Sequence, residues 1–237
     1  GANPFDFVPP TATPSPPTPP GLVCRNGPPG ESVPASWSDP AAIRLYPIGI
    51  WSEGGTNRAQ FGNNWPEAVP AWGAAQTTLR NTVIPTWTST INSVWTNKFD
   101  IKRKECTSTE AACCRYKTKA RVAFTEVATR GNHVIVLAAN NERSNAGAWS
   151  MGDNRANMPA HEFGHHLGNP DEYAGGVGIN ASVNTDGAAA GIDADSIMGA
   201  NMTVVKKRHY KFICTHLAKM VVDQHGRNYT YEAVPVV

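Results

Sequence analysis

The segment His161-Glu162-Phe163-Gly164-His165 carries the residue types and the spacing of a metal-assisted hydrolytic centre. Two histidines four residues apart on a helix lie one turn apart on one face, so both imidazoles can reach a single cation. Neutral imidazole is a good zinc ligand, with bonds of about 2.0–2.1 Å. Glu162 follows the first histidine and projects towards the open side of such an ion. There it can take a proton from the attacking water and pass it to a leaving amine. Zinc lowers the pKa of water it activates to about 7, which makes hydroxide available at neutral pH.

A zinc site of this kind needs a third protein ligand. Asp171 lies six residues past His165, and Gly168 permits the sharp reversal that would return it to the ion. His209 competes with it. On a helical wheel it shares a face with Val205, Phe212, Ile213, His216 and Met220, away from Lys207, Arg208, Lys211 and Lys219. Glu172 is a weaker third option, and a losing Asp171 could still orient a ligand histidine from behind. His166 points to another face and reads as structural. Tyr173 and Tyr210 are the phenols available to stabilise a tetrahedral oxyanion. Ser196-Ile197-Met198-Gly199 reads as a tight turn that would place Met198 beneath the ligand rings.

The elements that must position these residues follow from pattern. The motif helix has Asn157 as N-cap and Pro159 in its first turn, and it is closed by Gly168 and Pro170. Upstream, Ala41 to Trp51 reads as a strand interrupted at Pro47. Trp72 to Phe99 reads as a helix with an apolar stripe of Val83, Trp87, Ile91, Val94 and Trp95, bent or split at Pro85. Residues 103 to 117 read as a loop. Lys119 to Ala128 alternates like a half-buried strand, and His133 to Ala139 is a continuous apolar run that suits an inner strand. Gly131-Asn132 between them signals a hairpin. Asn140 to Arg155 and 174 to 195 read as loops, and Thr203 to Gln224 as a closing helix.

The chain of 237 residues, 41% hydrophobic and 17% charged, is long enough for one large domain with an extension. Val8 to Pro20 is a Pro/Thr/Ser tract of polyproline character. We therefore expect a linker over 1–40 and a folded domain over 41–237. A net charge of +2 without a basic block argues against nucleic acid as partner, and no apolar run approaches a membrane span. The N-terminus has no secretory-signal pattern and no initiator Met, so we expect a fragment or a processed form. Five cysteines without a C-x-x-C pair point to disulfides and an oxidising compartment. Cys106–Cys113 and a bond from Cys114 or Cys24 to Cys214 are the pairings expected.

The string HEFGHHLGNPDEY followed by SIMG resembles the zincin metallopeptidases, in particular the metzincin pattern HExxHxxGxxH/D with its Met-turn. The resemblance implies an α+β zincin-like domain with a small mixed sheet, an HExxH active-site helix and a C-terminal helix. It implies Zn2+ on His161, His165 and Asp171, Glu162 as base and Met198 as the turn methionine. Most metzincins have His where this chain has Asp171, which keeps His209 open. The order of DEY, SIM and Arg208-His209-Tyr210 is also similar to the metallopeptidase effector domain at the C-terminus of type VI secretion spike proteins of the VgrG kind. That likeness implies a secreted antibacterial toxin delivered to a target's periplasm, with the spike and a cognate immunity protein as partners. The substrate would be a protein or peptide, added as a strand to a sheet edge beside the cleft. The rival functions are a zinc-dependent peptidoglycan amide hydrolase and an inactive zincin-fold binding module.

Overall fold

A computed structural model describes residues 41–48, 72–106, 114–127, 134–137, 143–175, 192–220 and 228–237. The expected linker, the Gly131-Asn132 turn, Cys24, Cys113 and most of the loop over 174–195 lie outside the described residues. The architecture is α+β, with small sheets and few helices. The chain divides into two compact units, one built on 41–94 with 121–166 and the other containing 95–120 with 167–237.

The first unit holds a four-stranded parallel sheet. Its strands are β1 (Ala41–Ile48), β4 (Val122–Glu126), β5 (Val134–Leu137) and β6 (Ala148–Ser150), in the order β4-β1-β5-β6. The hairpin expected between β4 and β5 is therefore absent: β1 lies between them and runs parallel to both. β5 is the inner strand its apolar run implies, flanked by β1 and β6. β4 is half-buried at one edge, which is why its residues alternate.

β1 runs through Pro47 to Ile48. It pairs with β4 over Ala41–Leu45 and with β5 over Leu45–Ile48, so Pro47 falls where β1 is paired on one side only. The loop expected over 140–155 contains β6. This strand ends the sheet, but its three residues are at most 2% exposed. The segment before it folds back over it, with the Ala148 amide donating to the Asn145 carbonyl and the Ser150 amide to Ser144 Oγ. The preceding segment thus occupies part of the outer edge of β6.

The helix after β1 is continuous but not uniform. α1 (Trp72–Thr78) passes through a π-helical turn, Leu79–Val83, into α2 (Ile84–Trp95). The Ile84 amide donates to Leu79 O, five residues back. Pro85 has no amide hydrogen and its ring crowds the preceding turn, so the widened turn just before it relieves what a regular helix could not. Leu79, Trp87 and Ile91 form the buried stripe, while Val83 and Val94 are only half-buried. Trp87, Phe124 and Trp149 pack edge-on or tilted with ring centroids 5.2–6.0 Å apart. The indole of Trp149 also meets the ring of His166, at 6.1 Å, which seats the end of the motif helix α3 (Met158–His166) within this unit.

The second unit holds an antiparallel sheet, β3 (Arg115–Lys117), β2 (Phe99–Arg103) and β7 (Tyr231–Pro235), in the order β3-β2-β7. The single mixed sheet expected is therefore two sheets, one parallel and one antiparallel. β3 and β7 are strands where the sequence reading placed a loop and nothing. In place of one long closing helix there is a 3-10 turn, Lys207–Tyr210, leading into α4 (Lys211–Met220). The core here is Ile101, Ile197, Met198, Met202, Leu217, Tyr231 and Ala233. Cys106 is bonded to Cys114, not to Cys113, and Cys214 is a buried free thiol, so neither expected pairing forms. No helix among the described residues is long and apolar enough to cross a membrane.

Gly199 is fixed by packing. A Cβ there would overlap the Asp193 carbonyl oxygen and lie 2.7 Å from that of Ala194, both backbone atoms that cannot swing away. Gly199→Ala should lower stability by about 2–3 kcal/mol, within the range for overpacking. Urea unfolding of both proteins measures this, and an unchanged midpoint would show that the 193–199 turn can open freely.

Candidate metal centre

The motif helix begins and ends as its flanking residues dictate. Asn157 O accepts the His161 amide at 2.9 Å, the first bond of the helix, and Pro159 sits in the first turn where no amide partner is needed. At the other end Gly168 takes φ +91°, a left-handed conformation that favours glycine. A Cβ at Gly168 would also press to 3.2 Å on the Phe212 ring. The chain reverses here and leads into Asp171.

That reversal assembles the centre. One ligand-capable atom each from His161, His165 and Asp171 lies within 4.8 Å of the others. His161 and Asp171 are buried, at 1% and 5% exposure, and His165 is half-buried. The two imidazole rings stand almost perpendicular, 88° apart, with centroids at 4.9 Å. Tetrahedral donors on bonds of about 2.0–2.1 Å stand roughly 3.3 Å apart. Two imidazoles and a carboxylate are donors that suit a divalent cation, and together they could hold a metal ion.

Glu162 is 1% exposed, and its two oxygens face different ways. Oε1 lies 3.8 Å from the Arg155 guanidinium, and Oε2 lies 4.0 Å from His165 Nε2. Arg155 is gripped in turn by Asp153, through Nε at 2.9 Å and Nη2 at 2.6 Å. Burial opposes ionisation of Asp153. The Arg155 guanidinium and the amides of Ser144 and Arg155 outweigh it and hold the carboxyl at about 2. His166 is pushed down to about 4 by burial and by the neighbouring His165, so it stays neutral against Trp149.

The rival ligands are placed elsewhere. His209 is 1% exposed, but in the 3-10 turn and not on a helical face; Phe212 and His216 are exposed. Its Nδ1 accepts the Lys206 amide at 2.9 Å, and its Nε2 lies 3.3 Å from Glu172 Oε2 and 3.4 Å from Ser196 Oγ. Accepting at Nδ1 puts the proton of the neutral ring on Nε2, facing Glu172. Glu172 is clasped by Arg208 at 2.7 and 2.8 Å, and Arg208 also reaches Asp193 at 2.6 Å. Burial would raise the Glu172 carboxyl, yet Arg208, His209 and Ser196 bring it to about 2. Glu172 and His209 are thus partners of each other and not members of the three-residue group.

The tight turn expected at 196–199 forms. Gly199 N–H donates to Ser196 O and the Met198 amide to Ser196 Oγ, both at 2.9 Å. Met198 is fully buried, and its carbonyl accepts the Glu172 amide at 2.8 Å. The turn therefore fixes the backbone one residue past Asp171. Tyr210 donates its hydroxyl to Trp95 O at 3.1 Å, and burial pushes its pKa up to about 12. An oxyanion role would require that bond to be given up. Tyr173 is half-buried. The sequence reading missed Arg155 and Asp153, and it missed that Glu172 pairs with Arg208. The first pair has a visible signal, an acid and a base two residues apart just ahead of the motif helix.

Glu172 and Asp153 ionise at lower pH in the folded chain than in the unfolded one. Their stabilisation is present above pH 4.5 and is lost as pH falls towards about 2. Urea midpoints should fall steeply over that window. Arg208→Met, which leaves a buried carboxylate uncompensated, should cost about 3–5 kcal/mol at pH 7 and flatten the fall. A flat wild-type profile between pH 5 and 2.5 would contradict these assignments. Comparison with known proteins supplies no relative for the chain: no family model, no curated protein and no solved structure matches it.

Proposed function

We propose that the chain is a zinc-dependent peptidase in which His161, His165 and Asp171 hold the ion and Glu162 carries the protons. The observation behind this reading is the convergence of two imidazoles and one buried carboxylate, with a second buried carboxylate directed at the same place. Zinc on such a set supplies Lewis-acid chemistry, polarising a carbonyl and making water nucleophilic at neutral pH. Glu162 Oε2, on the His165 side, takes the proton of the attacking water and returns it to the leaving nitrogen. Burial of Glu162, His161 and Asp171 keeps bulk water from competing for these protons. The positions of Asp171 and His209 support Asp171 as third ligand. One closes the group, and the other is engaged by Lys206 and Glu172. The Cys106–Cys114 disulfide supports work in an oxidising compartment, as a secreted effector would require.

Zinc-loaded protein incubated with denatured casein, and separately with purified peptidoglycan, tests the reading. We expect cleavage of casein that a chelator stops and added zinc restores. Glu162→Ala should lower turnover by about 10²–10⁴-fold with bound metal unchanged, whereas His161→Ala should lose both. Release of peptidoglycan fragments alone would make the chain a cell-wall amide hydrolase. Stoichiometric zinc without turnover of either substrate would make it a binding module.

A further inference from the structure

The Arg155–Asp153 pair is charged, largely buried and aimed at the carboxylate that carries protons in the proposed chemistry. Asp153 holds the guanidinium by Nε and Nη2, and a further contact from Nη2 to Ser144 O, at 3.4 Å, ties it to the segment that folds over β6. The same Nη2 faces Glu162 Oε1 at 3.8 Å. The Arg155 side chain is 27% exposed, while those of Asp153 and Glu162 are 4% and 1% exposed. One guanidinium thus faces two buried carboxyl groups and is already engaged within the fold. That engagement disfavours recognition of an anionic substrate group by Arg155. It favours an internal task, because a fixed, planar cation constrains the rotation of a neighbouring carboxylate.

We propose that Arg155 is a positioning residue for Glu162. Braced by Asp153, it holds Oε1 and so keeps Oε2 turned towards His165 and the ligand group. A glutamate has three side-chain torsions, and a proton carrier that samples them freely spends little time in reach of the reacting water. The role rests on the peptidase reading for its purpose but not for its geometry.

Crystal structures of the metal-free wild type, Arg155→Met and Arg155→Lys test the geometry directly. Glu162 should keep one orientation in the wild type and in Arg155→Lys, and should take several, or turn away from His165, in Arg155→Met. In the zinc-loaded proteins kcat should fall by about 100-fold in Arg155→Met. KM should stay within about twofold, bound metal should be unchanged, and Arg155→Lys should recover part of the loss. If Arg155→Met does not fold, Asp153→Asn, which releases the guanidinium, should loosen Glu162 in the same way. Glu162 held unchanged in whichever of these variants folds would overturn the proposal. Glu162 freed in the variant while the wild type cleaves nothing would uphold the positioning and remove the peptidase reading.

Discussion

The arrangement depends on one local reversal. His161 and His165 stand a helical turn apart as a matter of helix geometry, but two imidazoles do not make a closed site. The third donor arrives because the chain leaves α3 through a left-handed Gly168 and brings Asp171 back within 4.8 Å of both rings. A side chain at Gly168 would strain the backbone and press on Phe212 at once, so both conformation and packing fix the residue there. With two imidazoles and a buried carboxylate brought this close, the group could hold a metal ion.

Behind Asp171, two further devices hold the returning segment. The Met198 carbonyl takes the amide of Glu172, and the Arg208 guanidinium takes its side chain. The turn that presents Met198 needs Gly199, since no Cβ fits beside the carbonyls of Asp193 and Ala194. His209, which resembles a ligand on a helical wheel, completes this buried cluster through Glu172 and Ser196. The residues from 193 to 209 thus bear on the segment that carries Asp171 through the backbone and side chain of Glu172.

Much of the centre was legible because its information is local. The four-residue spacing, the helix start at Asn157 with Pro159 in its first turn, the glycine exit and the tight turn at Ser196–Gly199 each depend on a few consecutive residues. What was not legible is non-local. Whether β4 and β5 pair with each other or with β1 depends on the packing of all three strands, and alternation within each strand is silent on it. β3 is three residues with little apolar content and read as loop, and β7 is a short run at the end of the sequence that signalled no element; both become strands only through pairing with β2. The burial of His209 was anticipated, but its partner was not. A buried imidazole looks the same in sequence whether it faces a metal or a carboxylate. Arg155 was passed over for a similar reason, since its distance to Glu162 is set by the fold and not by spacing.

The central claim is that Asp171, and not His209, completes a one-ion site with His161 and His165. The direct measurement is the metal content of carefully purified, zinc-equilibrated protein, read by elemental analysis in the wild type, Asp171→Ala and His209→Ala. One zinc per chain in the wild type and in folded His209→Ala, with a large loss in Asp171→Ala, is the result this account predicts. Full zinc retained in Asp171→Ala and lost in folded His209→Ala would contradict it.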